Sequence, residues 1–314
     1  MTNTFEQATE NRKISLKGLV ILSRLPFLLP GIAACITGIG IALAWGYIAD
    51  MGLIGISIIG LAFIMLATYY YNEYFDFEGD AINKKFTEFS GGSRAIPNKL
   101  VARPVARIAG LSAIIVLVLI MIIYFAFYFT RFPYLFVLAI IGAFCGIFYS
   151  HPPFQWAYRG IGEIMIGSCY GVLAVVSGFY IVSGILSWEL AVIALPASFT
   201  IFCVITANEF PDIEADRAVN KRNLVVIFGL EKGAMIYMIA FGLTYPLMLL
   251  SILVGVNWMI AIFGLPVLIL TMIALVECHK GGYAIRASQK KISAITLIVN
   301  LMSSLLFLPV VLIW

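Results

Sequence analysis

Two segments of this 314-residue chain carry the same pattern of asparagine and acidic residues. The first reads Asn72-Glu73-Tyr74-Phe75-Asp76-Phe77-Glu78-Gly79-Asp80, and the second reads Asn208-Glu209-Phe210-Pro211-Asp212-Ile213-Glu214-Ala215-Asp216. Each segment holds four of the 16 Asp and Glu residues. We call the two segments the first and the second acidic motif. Carboxylates four residues apart lie on one face of a helix. Acidic groups this dense beside apolar segments are costly unless a cation binds them, so the motifs predict a divalent metal site.

The chemistry of the motifs favours magnesium together with a phosphate-containing ligand. Mg²⁺ prefers oxygen ligands and keeps several waters or phosphate oxygens in its shell. The predicted metal ligands occupy matching places in the two motifs: Asn72, Asp76, Asp80, Asn208, Asp212 and Asp216. Basic residues follow each motif, as Asn83-Lys84-Lys85 and as Asn220-Lys221-Arg222. Because Lys and Arg bind phosphate oxygens rather than metals, we predict a diphosphate site in which the four aspartates are catalytic.

The composition of the chain is that of a membrane protein. Hydrophobic residues make up 62% and charged residues 11% of the chain, and the mean hydropathy is +1.03. A soluble domain would carry roughly 25% charged residues. Nine apolar runs come close to the roughly 20 residues that a membrane span needs: about 19–48, 52–75, 106–129, 133–150, 160–183, 187–210, 233–255, 258–278 and 292–313. We therefore predict one all-α integral membrane domain over residues 1–314, a polytopic bundle of nine transmembrane helices.

The distribution of Lys and Arg predicts the orientation of this bundle. The N-terminal segment holds four of the 20 (Arg12, Lys13, Lys17 and Arg24), and the breaks after the second, fourth, sixth and eighth runs hold fifteen. Only Arg131 lies on the other side. The positive-inside rule therefore places the N-terminus and the active site on the cytoplasmic side and the C-terminus outside. The two motifs end the second and the sixth runs, an even number of crossings apart, which predicts two related halves of like orientation.

The motifs and their placement resemble those of the UbiA superfamily of intramembrane prenyltransferases. Asn72, Asp76 and Asp80 match its N-[DN]-x-x-D-x-x-x-D motif after the second helix, and Asp212 and Asp216 match its D-x-x-x-D motif after the sixth. The resemblance implies a nine-helix bundle that transfers an isoprenyl group from a prenyl diphosphate, geranyl to polyprenyl, with Mg²⁺ as cofactor. The acceptor would be aromatic or a lipid. Position 73 is Glu, where many members of the superfamily have Asp.

Smaller features resemble one branch of the superfamily without deciding the acceptor. Gly91-Gly92-Ser93-Arg94 and Tyr149-Ser150 look like the dihydroxynaphthoate prenyltransferases of menaquinone biosynthesis. Arg103-Pro104 is similar to the arginine-proline pair of the 4-hydroxybenzoate branch. Archaeal geranylgeranylglyceryl phosphate prenyltransferases share the same catalytic frame. We expect an aromatic acceptor in quinone biosynthesis, and the archaeal lipid acceptor is the alternative.

Five further residues are candidates for binding the substrate. Arg94 lies in a Gly-Gly-Ser loop, which lets backbone approach a ligand closely, and Lys221 and Arg222 follow the second motif. We expect all three to contact the diphosphate. Arg24 precedes Pro26 and is either a membrane anchor or a diphosphate ligand. Tyr149 is either an aromatic residue of the membrane interface or a ring that stabilises a carbocation.

Two other classes of protein remain as alternatives. A cation-coupled transporter also uses internal repeats and acidic residues, but its sites usually lie near the middle of the membrane. A non-catalytic isoprenoid-binding protein is disfavoured because all the aspartates are present. A solvated helix end would explain one acidic motif, but two matching copies favour a site. Membrane lipid is an expected partner and nucleic acid is not. Glu163 lies in an apolar run where an unpaired carboxylate is expensive, and its partner cannot be assigned from the sequence.

Overall fold

The computed structural model describes residues 15–312, and these residues contain helices and turns but no β-strand element. Eight helices in this part of the chain are long and apolar enough to cross a membrane: Leu16–Ala44, Met51–Phe75, Arg103–Phe127, Gly162–Ser183, Glu189–Glu209, Leu230–Val254, Ile260–His279 and Arg286–Val311. A ninth apolar helix, Tyr134–Ile147, lies at the fourth predicted span. Its 14 residues extend about 21 Å. The prediction of an all-α membrane bundle is confirmed. We number the spans one to nine in chain order, so that Tyr134–Ile147 is span four.

Several spans contain irregular segments. In span one, the helix Leu16–Leu22 stops before Arg24, which has a left-handed backbone with φ 46°. A 3₁₀ turn, Leu25–Leu28, then leads into the helix Leu29–Ala44. Span five consists of Gly162–Gly167, a π-helical segment Ser168–Leu173 and Ala174–Ser183. Short breaks also divide spans seven to nine. Span seven consists of Leu230–Gly242, Thr244–Leu250 and Ser251–Val254. Span eight consists of Ile260–Phe263 and Leu265–His279, and the region of span nine consists of Arg286–Leu305 and Phe307–Leu312. Arg12 and Lys13, which contributed to the predicted orientation, lie outside the described residues.

Small residues let the spans pack at backbone distance. A Cβ atom added to Gly38 of span one would lie 2.0 Å from the carbonyl oxygen of Val175 in span five. One added to Gly178 of span five would lie 2.0 Å from the carbonyl oxygen of Cys35. Packing of small residues is a main source of helix association in a membrane, where lipid removes the hydrophobic driving force. The two glycines therefore fix how closely spans one and five approach.

Polar contacts add to this packing at the centre of the bundle. Asn300 of span nine donates from Nδ2 to Thr200 Oγ1 of span six at 2.9 Å and to the carbonyl oxygen of Ala197 at 3.2 Å. All three residues are buried. Span six, which leads into the second acidic motif, is thereby held against span nine.

The polar breaks after spans two and six contain short helices that the sequence did not predict. They are Phe77–Ile82 after the first motif, and Ile213–Ala218 and Leu224–Phe228 after the second. Acidic residues in the first turn of Phe77–Ile82 (Glu78 and Asp80) and of Ile213–Ala218 (Glu214 and Asp216) are favourable at the positive end of a helix dipole. Helices of five or six residues are too short to show an apolar period in the sequence.

Three breaks lie together over one end of the bundle. Lys85, after span two, pairs with Glu214, after span six, at 2.7 Å. Lys290 at the start of span nine pairs with Glu88 at 2.7 Å, and Arg286 donates to the carbonyl oxygen of Phe86 at 2.7 Å. We call this end, which carries residues 76–102, 210–229 and 280–291, the motif face.

Candidate active site

Side chains from both acidic motifs line one cavity beneath the motif face. All the predicted metal ligands border this motif cavity: Asn72, Asp76, Asp80, Asn208, Asp212 and Asp216. Lys221, Arg24 and Tyr149 border it as well. The structure thus brings together motifs that lie 136 residues apart in the sequence (208 − 72).

Asp76 ends span two and is the most heavily hydrogen-bonded aspartate of the site. Asn72, one helical turn earlier, donates from Nδ2 to Asp76 Oδ2 at 2.9 Å and to Ser150 Oγ at 2.9 Å. The hydroxyl of Tyr158 donates to Asp76 Oδ1 at 2.8 Å. The Lys221 ammonium donates to Asp76 Oδ2 at 2.6 Å. Donors from three separate parts of the chain therefore fix the first aspartate.

Asp212, the matching residue of the second motif, is held by the segment that follows the first motif. Asn83 Nδ2 donates to one carboxylate oxygen at 2.7 Å, and the backbone N–H of Gly91 donates to the other at 2.9 Å. Gly92 has φ +68°, and a Cβ atom added to it would lie 2.1 Å from Asp80 Oδ2. Glycine is therefore required at this position, because the loop lies directly against the carboxylates.

The segment after the second motif reaches Asp216 in turn. Asn223 donates from Nδ2 to Asp216 Oδ2 at 2.7 Å, while its Oδ1 accepts the N–H of Val226 at 2.8 Å and caps the helix Leu224–Phe228. Lys221 Nζ lies 3.8 Å from Asp216 Oδ1 and so stands between the aspartates of the two motifs. The sequence did not identify Asn223, although an Asn before an apolar run is a typical N-cap signal.

The buried carboxylates of the motif cavity need more positive charge beside them than the protein supplies. Burial raises the pKa of Asp80 well above its usual value, the charges of Glu73 and Asp76 raise it further, and Lys221 opposes this. Burial raises the pKa of Asp216 to about 7, again against the effect of Lys221. Burial lowers the pKa of Lys221, but the Asp216 and Asp76 carboxylates outweigh it, so this pKa lies well above its usual value. A divalent cation would stabilise the charged form of every carboxylate here.

The donor chemistry fits Mg²⁺. The motif side chains offer only oxygen ligands, and the buried Asn208 Oδ1, which borders the cavity, has no hydrogen-bond partner. Between residues 15 and 312, no three Asp, Glu, His or Cys side chains are grouped closely enough to hold an ion by themselves. Mg²⁺ commonly uses one or two carboxylates and completes its shell with water and phosphate oxygens. Asp76 and Asp80 on one side, and Asp212 and Asp216 on the other, suit that mode of binding.

The three candidate arginines occupy different places. Arg94 borders a neighbouring cavity rather than the motif cavity. Its Nη1 donates to the carbonyl oxygen of Asp80, and its guanidinium lies 4.2 Å from the centre of the Phe86 ring. Arg24 borders both cavities and lies 3.8 Å from Glu73 Oε1. Arg222 is exposed and borders neither. Of the three, only Arg24 faces the aspartates.

An apolar cavity continues from the motif cavity into the bundle. Thr68, Tyr149, Ile166 and Tyr170 line both cavities. Residues of spans one to five line the apolar cavity, with side chains such as Met121 of span three on its wall. Tyr149, which the sequence left as either an interfacial or a site residue, stands where the polar and the apolar parts meet.

Four residues that contact the motif side chains were not singled out as site residues from the sequence: Asn83, Ser150, Tyr158 and Asn223. Asn83 and Asn223 flank the basic residues after the motifs, so their position in the pattern was a usable signal. Ser150 was quoted only within the Tyr149-Ser150 resemblance, and the contacts of Ser150 and Tyr158 with the first motif were not predicted. Both residues reach the site through a turn after span four, whose path the sequence does not define.

Comparison with known proteins identifies the family. The UbiA prenyltransferase family matches residues 32–310, and the chain therefore belongs to it and is an integral multi-pass membrane protein. Over 106 residues it is 28% identical to the 2-carboxy-1,4-naphthoquinone phytyltransferase of Synechocystis sp.. Over 204 residues it is 23% identical to the 1,4-dihydroxy-2-naphthoate octaprenyltransferase of Bacillus subtilis. The matched regions cover 33% and 64% of this chain and span 34% and 63% of those relatives.

A solved structure of a UbiA homolog from Archaeoglobus fulgidus, bound to GPP and Mg²⁺, has the same fold. It superposes with a TM-score of 0.64 at 15% sequence identity and covers 93% of this chain and 99% of that one. The likeness extends over nearly the whole described bundle and agrees with the predicted helical membrane fold.

Proposed function

We propose that this protein transfers an isoprenyl group from a prenyl diphosphate to an aromatic acceptor bearing a carboxylate, such as 1,4-dihydroxy-2-naphthoate, and that it requires Mg²⁺. The observation that carries the proposal is the direct continuation of the carboxylate-lined motif cavity into the apolar cavity. A prenyl diphosphate has the same division into a charged head and a long apolar tail. The names of the Bacillus subtilis relative and of the Archaeoglobus fulgidus complex support the choice of substrates.

The residues of the motif cavity have separate tasks in the proposed reaction. The aspartates, with Asn72 and Asn208, would hold Mg²⁺, which when bound neutralises the diphosphate and makes it a better leaving group. Lys221 adds an ammonium between the two motifs, where it can bind diphosphate oxygens. The allylic C–O bond breaks and its electron pair leaves with the diphosphate. The acceptor ring carbon then forms a C–C bond to the isoprenyl group and loses a proton.

Two features would stabilise the carbocation that forms when the allylic C–O bond breaks and would keep water away from it. The ring of Tyr149 borders both cavities at the point where the reacting carbon would lie, and the face of an aromatic ring attracts a cation. The Gly91-Gly92 segment lies against the carboxylates from the side of the motif face. A covered site excludes water, which would otherwise capture the cation.

The acceptor is proposed to enter through the cavity that Arg94 borders. Its cationic lining residues are Arg24, Arg94, Arg286 and Lys290. It shares Arg24, Phe27 and Gly92 with the motif cavity, so a ligand there would lie next to the diphosphate. A carboxylate suits such a lining, because Arg forms charge-assisted hydrogen bonds with it. The isoprenyl tail and the acceptor would then reach the reacting carbon from different sides.

The location of the site argues against a transporter. Transporter sites usually lie near the middle of the membrane at discontinuous helices, whereas these aspartates follow the ends of spans two and six beneath the motif face. We place the motif face in the cytoplasm by the positive-inside rule. Among Lys and Arg residues of the described part, Arg131 alone falls in a turn at the opposite end.

The test is an assay of purified protein in detergent with geranylgeranyl diphosphate, Mg²⁺ and one acceptor at a time. The acceptors are 1,4-dihydroxy-2-naphthoate, 4-hydroxybenzoate and geranylgeranylglyceryl phosphate, and mass spectrometry identifies the products. We expect prenylated product from the naphthoate, and none after EDTA treatment until Mg²⁺ is restored. Product from another acceptor alone would correct the acceptor. Full turnover in metal-free buffer, or no product from any acceptor, would overturn the proposal.

A further inference from the structure

Two buried glutamates lie beside the site without lining its cavity, and each holds one of the segments that follow the motifs. Glu73 belongs to the first acidic motif, is 1% exposed and does not line the motif cavity. Its Oε1 accepts the backbone N–H of Ser93 at 2.6 Å, and its Oε2 accepts the hydroxyl of Ser93 at 2.6 Å. Both carboxylate oxygens are thus used on the residue between Gly92 and Arg94. Arg24 lies 3.8 Å from Oε1.

Glu163 holds the segment that follows the second motif, as Glu73 holds the segment that follows the first. It lies near the start of span five, is also 1% exposed, and accepts the backbone N–H of Leu224 at 2.6 Å. Leu224 directly follows Asn223, which binds Asp216, and lies three residues after Lys221. Glu163 is thereby tied to the segment that carries Lys221 and Asn223.

We propose that Glu73 and Glu163 are positioning residues, each of which holds one of the two segments that deliver hydrogen-bond donors to the aspartates. Glu73 positions the Gly91–Arg94 segment, and Glu163 positions Lys221 to Leu224. The kinetic consequences of this inference rest on the proposed prenyl transfer. The structural consequences do not rest on it, because they concern only how firmly the two segments are held in place.

The geometry distinguishes this role from metal binding. The Glu73 oxygens are occupied by Ser93, and neither Glu73 nor Glu163 borders the motif cavity. Hydrogen bonds from backbone N–H to a charged acceptor are about twice as strong as neutral ones. A segment held by such bonds loses less conformational freedom when substrate binds, which is how pre-organisation improves binding. The longer side chain at position 73, Glu rather than Asp, is what reaches Ser93.

The experiment compares hydrogen exchange in matched variants of the full-length protein in detergent. Glu73→Met and Glu163→Met remove the acceptors at similar volume, while Glu73→Gln and Glu163→Gln keep one acceptor oxygen. Glu78→Met and Glu214→Met are controls, because these motif glutamates are 72% and 69% exposed. We expect Glu73→Met to speed exchange at least tenfold in residues 91–98 but not in 221–228. Glu163→Met should do the reverse.

The same variants are assayed with prenyl diphosphate and Mg²⁺. We expect each buried Met variant to raise KM for the diphosphate at least tenfold, with a smaller change in kcat, and each Gln variant to restore much of the wild-type behaviour. The exposed controls should stay within twofold. Equal loosening of both segments with a large fall in Tm would mean a general structural role and would overturn the proposal. So would unchanged exchange together with a higher Mg²⁺ requirement, which would make Glu73 a metal ligand.

Discussion

The two acidic motifs have the same asparagine and acidic residues in the same frame, yet their first aspartates are held by different kinds of donor. Asp76 receives a charged donor, the Lys221 ammonium at 2.6 Å. Asp212 receives neutral donors, the Asn83 amide at 2.7 Å and the Gly91 backbone N–H at 2.9 Å. Hydrogen bonds from charged groups are worth more than neutral ones. The duplicated pattern in the sequence therefore does not produce two equal sites.

The donors are exchanged between the halves. Lys221 follows the second motif and binds Asp76 of the first, while Asn83 and Gly91 follow the first motif and bind Asp212 of the second. Each motif is thus completed by the segment of the other half. The two halves therefore form one site, in which Lys221 of the second half supplies the ammonium that Asp76 of the first half binds.

The largest expected effect tests whether the two motifs act as one unit. Asp76→Asn and Asp212→Asn should each lower kcat by at least about 100-fold, because each removes charge from the binding of the leaving group. The double variant should be little worse than either single one. Turnover is measured with saturating substrates and Mg²⁺ in detergent. Near-normal turnover of one folded single variant would show that its motif is structural. The two motifs would then have different roles.

A smaller effect should separate the two basic residues after the second motif. Lys221→Ala removes the ammonium that bridges Asp76 and Asp216. We expect KM for the prenyl diphosphate to rise about 10- to 100-fold, as loss of a hydrogen bond of about 1.5–3 kcal/mol implies. Arg222→Ala is the matched control, because Arg222 is exposed and away from the cavity. Its KM should change less than twofold. Equal effects of both variants would assign the basic pair to membrane orientation instead.

The smallest effect concerns the Gly91-Gly92 loop, which supplies a neutral donor to Asp212 and lies against Asp80. Gly92→Ala would place a Cβ 2.1 Å from Asp80 Oδ2 and so displace that carboxylate. Gly281→Ala has a similar positive φ of +84° but open space around it. Both variants should lose about 1 kcal/mol of stability from the left-handed backbone. The fall in Tm should be larger for Gly92→Ala, because its Cβ also displaces Asp80. Only Gly92→Ala should lose activity, by about tenfold on the assumption that Asp80 binds the metal. Equal kcat in the two variants would contradict a role for this loop in placing Asp80.

The sequence determined the class of the fold and the chemistry of the site. Runs of about 20 apolar residues have no stable alternative to helices that cross a membrane, so the spans could be read directly. The repeated frame of Asn72, Asp76 and Asp80 indicated a metal site, because clustered carboxylates need a cation wherever they are placed. The order of the spans also put both motifs on one face.

Tertiary structure alone decided which group each of these residues contacts. Lys221 and Asp76 are 145 residues apart, and the contact between them depends on how spans two and six lean together. Glu163 had no assignable partner because the rotation of span five, not its composition, turns the side chain toward Leu224. Arg222 follows Lys221 immediately but remains exposed. Residue type and spacing specify what a side chain can bind, and long-range packing selects the partner among many equivalent groups.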